Sequence, residues 1–240
     1  QGYRYGEVNG EHGIFLAAKT KRQRMFIPLT DANVYDRMLD INLNPQKKSI
    51  EIILSLFVNT RQHEDYTGEI GISLGLWNMI TTSTGNVYGS SFGKMQKDIS
   101  QFVLEENHRK QAGNVSDTQK YRACKEKMDA GLKNYVNMEI NRMLAQEKPK
   151  TIYMAKLPRN VGMRIKGTGD THLLRMWKKG FVTERLQWKC QKNDIRIIEV
   201  IGREIGRECS ACGQIGYTNG ERFRCSSCGY EENKKVNGAR

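Results

Sequence analysis

Residues 69–76 read Glu69-Ile70-Gly71-Ile72-Ser73-Leu74-Gly75-Leu76, and residues 77–82 follow directly as Trp77-Asn78-Met79-Ile80-Thr81-Thr82. A turn signal at Thr84-Gly85-Asn86 leads into Val87-Tyr88-Gly89. Three short apolar stretches separated by Gly and Asn punctuation predict a three-strand meander.

The chain changes character on either side. Residues 13–17 and 25–29 are short apolar runs separated by a basic loop at 19–24, and residues 49–58 are a β-branched run. Residues 1–66 therefore predict a small barrel or sandwich that ends at the polar stretch 59–65. Downstream, residues 94–147 switch to a helical period. Ile99, Phe102, Val103 and Glu106 fit one helix. Tyr121, Cys124, Met128, Leu132, Tyr135, Val136, Ile140, Met143 and Leu144 fit a second, with Gly113-Asn114 between them. A buried strand at 151–155 follows, then a Gly-rich basic loop at 159–169. A helix carrying Leu173, Leu174, Trp177 and Phe181 leads to a strand at 195–200. The order β-β-β, long helices, β, helix, β is that of an α/β (α+β) RNase H-like domain.

Six cysteines fall into two kinds. Cys124 and Cys190 stand alone and read as buried small hydrophobes. The other four form Cys209-Ser-Ala-Cys212 and Cys225-Ser-Ser-Cys228. Each Cys-x-x-Cys turn lets two thiolates reach one ion, and two such knuckles complete a tetrahedral zinc site. Gly213 and Gly229 each follow the second Cys of a pair, where a tight knuckle favours a residue free to take positive φ. A pair of disulfides is the alternative, disfavoured for a reduced cytosolic chain. Four thiolates leave no open coordination position, so the zinc is expected to be structural.

The chain of 240 residues carries 39 Lys+Arg and 26 Asp+Glu, a net charge of +13. Residues 1–93 are neutral, 94–150 carry +4, 151–200 carry +7 and 201–240 carry +2. A basic excess gathered in the later half predicts a polyanionic partner there. The longest apolar run, 14–18, is far too short to span a membrane, and no basic segment followed by an apolar one opens the chain. The expectation is a prokaryotic cytoplasmic, nucleoid-associated protein with no membrane partner.

The Gly71–Leu76 pattern, the zinc ribbon and the closing Val236-Asn237-Gly238-Ala239-Arg240 together resemble the TnpB family of transposon-encoded RNA-guided nucleases, related to the compact type V CRISPR effectors. The resemblance covers about residues 69–240. It implies a wedge-type β-barrel segment at 1–66 and a RuvC-type, RNase H-like domain at 67–200 with a helical insertion at 94–147. The ribbon would occupy 201–230, and the last RuvC-like helix would start within 231–240. It also implies guide RNA and double-stranded target DNA as partners.

RuvC-type cleavage uses three carboxylates to hold two Mg²⁺ ions. Mapped on the resemblance, they fall on Ser73, Ala155 and Lys235, none of which is acidic. Hard divalent cations need oxygen ligands, usually including carboxylates, so no catalytic Mg²⁺ is expected and these are degenerate positions. Lys156 would add a second cation near by. The resemblance thus implies a protein that binds DNA under RNA guidance without cutting it, acting by site occlusion, transcriptional repression or recruitment of a transcription component. The alternative is a metal-dependent RNA-guided endonuclease using Glu69, Asp170, Glu231 or Glu232. A third reading is a zinc-ribbon DNA binder without RNA. Candidate phosphate contacts are Arg159, Arg164, Lys166, Arg175, Lys178, Lys179 and Arg185. Trp177 and Trp188 read first as core and second as base-stacking groups.

Since each neutralised duplex phosphate adds about −0.9 to the slope of log K against log salt, nucleic-acid affinity should fall steeply with ionic strength. A filter-binding series across salt concentrations checks this, and a slope near zero contradicts it.

Overall fold

The computed structural model describes residues 2–20, 22–34, 38–46, 48–55, 59–113, 118–156, 171–201 and 205–240. The chain divides into two units, Gln1–Val58 and Asn59–Arg240. The polar stretch 59–65, expected to close the first unit, belongs to the second. There the Arg61 N–H donates to the Lys192 carbonyl at 2.8 Å, and His63 hydrogen-bonds Asn193 at 2.9 Å.

In the first unit β1 (Tyr3–Val8), β2 (Glu11–Ala17) and β3 (Arg24–Pro28) form an antiparallel sheet in chain order. β4 (Leu39–Asn44) and β5 (Ser49–Leu54) pair with each other as a separate hairpin. Among the described residues no ladder joins the two sheets, so the expected barrel or sandwich is present here as a sheet and a hairpin. Among the described residues of this unit the buried hydrophobic side chains are Ile14 and Ile27, while Leu43 and Ile53 of the hairpin are exposed.

The second unit is built on β6 (Gly68–Leu74), β7 (Ile80–Thr82), β8 (Val87–Tyr88), β9 (Pro149–Ala155) and β10 (Arg196–Val200). They form one sheet in the order β10-β9-β6-β7-β8. β6, β7 and β8 are the antiparallel meander, while β9 runs parallel to both β6 and β10. The parallel partners need crossovers, supplied by α1 (Phe92–Gln111) and α2 (Thr118–Glu147) before β9. After it come α3 (Thr171–Met176) and α4 (Lys179–Lys192).

Strand periodicity gives β6 two faces. Ile70, Ile72 and Leu74 are buried on one, in register with Ile152 and Met154 of β9. Leu132, Val136, Ile140, Met143 and Leu144 of α2 recur at helical spacing in the same core. Phe92 and Ile99 of α1 join them, with Val182, Leu186 and Cys190 of α4. Each fully buried aliphatic or Phe side chain contributes about 1.5–3 kcal/mol of transfer free energy. The long helix is also pinned by polar contacts. Glu139, buried, accepts the Gly89 N–H at 2.7 Å and meets Arg142. Glu147 accepts from Asn86 and from the Tyr88 hydroxyl at 2.8 Å.

Two expectations change. The single helix expected around Leu173–Phe181 is two helices, broken at Trp177-Lys178. The buried Gln96 side chain explains the break: it accepts the Lys178 N–H at 2.9 Å and donates to the Leu76 carbonyl at 3.1 Å. Cys124, expected inside, is exposed on α2, whereas Cys190 is buried, which pushes its thiol up to about 12.

The last segment forms β11 (Tyr217–Asn219), β12 (Arg222–Arg224) and β13 (Glu231–Asn233), a small antiparallel sheet, and then α5 (Lys234–Ala239). Residues 231–233, expected to begin the last helix, are the ribbon's third strand. Asn233 caps α5 by accepting the Lys235 N–H at 2.8 Å. α5 lies on the other face of β6, directly over Gly71, where any Cβ would overlap the Ala239 carbonyl.

Gly71→Ala should therefore cost about 1–3 kcal/mol through overpacking. Gly131→Ala, at an open mid-helix position on α2, should stabilise by up to about 1 kcal/mol. Urea midpoints of the two variants check the pair.

Candidate functional site

The four ribbon cysteines converge. Their sulphurs all lie within 4.8 Å of one another, with Cys209–Cys228 at 3.7 Å and Cys212–Cys225 at 3.6 Å. Tetrahedral zinc with bonds of about 2.3 Å sets its sulphurs about 3.8 Å apart, so the donor set and its spacing fit such an ion. Two matching knuckles produce the convergence. The Gly213 N–H donates to the Cys209 carbonyl at 2.8 Å, and the Gly229 N–H to the Cys225 carbonyl at 3.0 Å. Both glycines adopt positive φ, 75° and 74°. Backbone N–H groups at Cys228 and Ser227 hold the Cys225 thiol down to about 6 despite desolvation, whereas, against the Gln214 N–H, hydrogen bonds among the cysteines push Cys212 up to about 12. Phe223, fully buried, packs with Cys209 and Cys225 as the ribbon's small core.

Among the side chains that fasten the ribbon to the large sheet is one that the motif spacing does not single out. Asn237 of α5 is buried, donates to the Glu208 carbonyl at 2.7 Å and accepts the Ser210 N–H at 3.0 Å. It grips the backbone on both sides of Cys209. The closing Val236-Asn237-Gly238-Ala239 string contained this residue, but nothing in its spacing told that its partner would be a metal knuckle.

Ser73, Ala155 and Lys235, the positions expected to be degenerate, lie on one face of the sheet. Ser73 alternates with the core residues Ile72 and Leu74, so it shares the α5 face with Gly71. Ile72 pairs with Met154, so Ser73 and Ala155 are the next residues along two adjacent parallel strands. Lys235 reaches the end of β6 from α5, its Nζ donating to the Leu74 carbonyl at 3.5 Å. Burial holds that ammonium below the ordinary lysine range, with Lys234 adding repulsion and Glu221 opposing it. Lys156, expected as a second cation beside these positions, pairs instead with Glu199 of β10 at 3.6 Å.

The alternative carboxylates are dispersed. Glu69 accepts from the Tyr153 hydroxyl, Glu231 pairs with Arg224 at 2.9 Å, and Glu232 pairs with Arg240 at 3.3 Å. Asp170 lies outside the described residues. Among the described residues, the cysteine quartet is the cluster of His, Cys, Asp and Glu side chains spaced to hold a metal.

Of the candidate phosphate contacts, Arg159, Arg164 and Lys166 lie outside the described residues. Arg175 is exposed in the last turn of α3. Lys178 pairs with Asp129 at 3.4 Å, a carboxylate it shares with Lys125. Lys179 sits 5.9 Å from the Trp177 ring centroid, its ammonium held below the ordinary range by burial. Arg185 donates from Nε to Asn137 at 2.8 Å and lies over the Trp188 ring. Trp177 packs against the core, whereas Trp188 is 43% exposed. No helix among the described residues is long and apolar enough to cross a membrane.

Residues 180–240 match the family described as Cas12f1-like, TNB domain. The CRISPR-associated endodeoxyribonuclease Cas12f1 of Sulfoacidibacillus thermotolerans is 30% identical over 103 residues, 41% of this chain and 22% of that protein. A cryo-EM structure of a Cas12f1–sgRNA–target DNA complex shares the fold, with a TM-score of 0.54 at 18% identity. The match covers 83% of this chain and 54% of that one. A CRISPR-Cas12f ternary complex is also similar, at TM-score 0.49 and 18% identity, over 84% of this chain and 43% of that one. The chain thus spans about a fifth of the curated relative and about half of the chain in the first complex. The chain is thus similar to the Cas12f1-like TNB domain over residues 180–240 and to Cas12f1 in sequence and fold.

The purified chain should carry one equivalent of tetrahedrally bound metal. Cys225→Ser should reduce occupancy below half and unfold the ribbon, because metal binding and folding of so small a module are one equilibrium. Elemental analysis with thiol titration checks both statements, and four free thiols without metal in the unaltered chain contradict them.

Proposed function

We propose that this protein binds DNA under the direction of a guide RNA and does not cut it, with the ribbon held by zinc. The observation that carries this reading is Lys235. A part-buried ammonium donates to the last carbonyl of β6, at the position where the resemblance calls for a metal-binding carboxylate. Ser73 offers one neutral oxygen and Ala155 offers none, so no anionic ligand offsets the cation. At an effective dielectric of about 20, a unit charge about 5 Å from a divalent ion costs roughly 6–7 kcal/mol before screening. Metal occupancy there would be strongly suppressed.

The strand order β10-β9-β6-β7-β8, with one antiparallel meander and two parallel additions, supports an RNase H-like domain of RuvC type. The likeness to a Cas12f1–sgRNA–target DNA complex supports guide RNA and duplex DNA as partners. Base pairing by the guide then reads sequence while the protein holds backbone. Without cleavage, the consequence of binding is occlusion of the target, and over a promoter that is repression.

With guide RNA, matched duplex and Mg²⁺, the chain should retard the duplex in a gel and release no cleaved product. Ser73→Asp alone should remain inactive, because one carboxylate still faces the Lys235 ammonium. The triple change Ser73→Asp, Ala155→Glu, Lys235→Asp supplies three ligands and removes the cation, so measurable Mg²⁺-dependent cutting is expected only there. Robust cleavage by the unaltered chain overturns the proposal.

A further inference from the structure

We propose that Trp188, with Arg185, Lys189 and Lys192 around its ring, is a stacking site for one unpaired base of a single-stranded nucleic acid and for the phosphates that flank it. The inference rests on the nucleic-acid-binding reading above and identifies which strand state one face of α4 recognises.

The ring is 43% exposed on a helix whose opposite side buries Val182, Leu186 and Cys190. Positions 185, 188 and 192 recur at three and four residues, so they line one stripe of α4. The Arg185 guanidinium lies 4.6 Å from the ring centroid, and the Lys189 and Lys192 ammonium groups lie at 5.3 and 5.4 Å. The three cations share one indole, and Arg185 and Lys192 both repel Lys189. The ammonium of Lys189 is held below the ordinary lysine range by burial and by Arg185 and Lys192.

Several lysines elsewhere in this unit find carboxylates, Lys125 and Lys178 at Asp129, Lys150 at Asp194 and Lys156 at Glu199, while Lys133 lies over the Phe181 ring and Lys235 on a carbonyl. Among the described residues none of the three cations around Trp188 has such a partner, and Arg185 has the neutral Asn137. A like-charged cluster left uncompensated around an exposed aromatic face fits a ligand that brings negative charge and a flat π-surface together. A nucleotide does so. A duplex offers phosphates but keeps its bases stacked inside, whereas a single strand presents base faces, and stacking on aromatic side chains is the general mode of single-strand binding. Neither the cysteine quartet nor the Ser73–Lys235 face takes part.

The test uses the full chain with Trp77→Phe and Trp177→Phe, which leaves Trp188 as its one indole. Titration with short oligothymidylate or oligouridylate should quench its fluorescence, and a short duplex of equal length should quench it far less. DNA and RNA arms separate a target strand from a guide as the natural occupant, and saturable quenching by either supports the site. In the otherwise unaltered chain, Trp188→Ala should weaken single-strand binding about five- to hundredfold, with Trp188→Phe restoring most of the loss. The combined Arg185→Gln, Lys189→Gln, Lys192→Gln change should lower the magnitude of the salt slope by about 2, at about 0.7 per single-strand phosphate. Single-strand binding without quenching and unaffected by Trp188→Ala overturns the proposal, as does equal quenching by the duplex. Failure of guided duplex binding while the quenching persists would instead remove the RNA-guided reading and leave this site standing.

Discussion

The contact on which the second unit turns is the one between α5 and β6 at Gly71. With no side chain there, the Ala239 carbonyl comes down onto the strand, and a helix of one and a half turns lies flat on the sheet. The neighbouring hydrogen bonds close the same seam: the Ser83 N–H donates to the Gly71 carbonyl at 2.8 Å, and Arg240 donates to the Ser83 carbonyl at 3.1 Å. Everything that α5 carries is positioned by this approach. Asn237 is brought to the backbone around Cys209, and Lys235 to the end of β6. A ribbon that sequence treats as an independent module is thereby held against the sheet through Asn237, Lys234 and Arg240.

The same seam sets the electrostatics. Nuclease chemistry on such a face depends on fixed anions drawing two divalent ions to adjacent strand ends. Here the strand ends offer a hydroxyl and a methyl group, and the helix offers an ammonium whose charge is disfavoured by its own burial. That cation lowers the local affinity for any other cation. Of the nearby carboxylates, Glu221 opposes the depression of Lys235 while pairing with Lys234, and Glu232 is engaged by Arg240. The basic excess of the chain is directed elsewhere, in part to the exposed stripe of α4.

Legibility in the sequence followed the range of the interactions. The meander at 69–88, the helical tract and the two knuckles rest on local periodicity and on turns of a few residues, and each was readable as written. The break between α3 and α4 was not, because the group that takes the Lys178 N–H is Gln96, 82 residues away. Cys124 fits the periodicity of the α2 core stripe yet faces solvent, since that stretch of the helix is covered on fewer sides than the stretch from Leu132 onward. Lys178 and Arg185 look alike in a basic run. Their difference, a carboxylate for one and an exposed indole for the other, comes from α2 for Lys178 and from the next turn of α4 for Arg185.

Taken alone, the sequence determined which chemistries are available. Four thiols at knuckle spacing can bind a soft metal, and Ser73, Ala155 and Lys235 supply no carboxylate whatever their surroundings, because which functional groups a side chain carries does not depend on the fold. The tertiary structure decided proximity. It brought the four sulphurs within 4.8 Å and placed an ammonium from the last helix on a strand 161 residues earlier. It also left three cations sharing one ring without a counter-ion among the described residues. Those outcomes depend on which surfaces pack together, and packing is settled by steric fit between distant segments, such as a missing Cβ at Gly71, that no local pattern records.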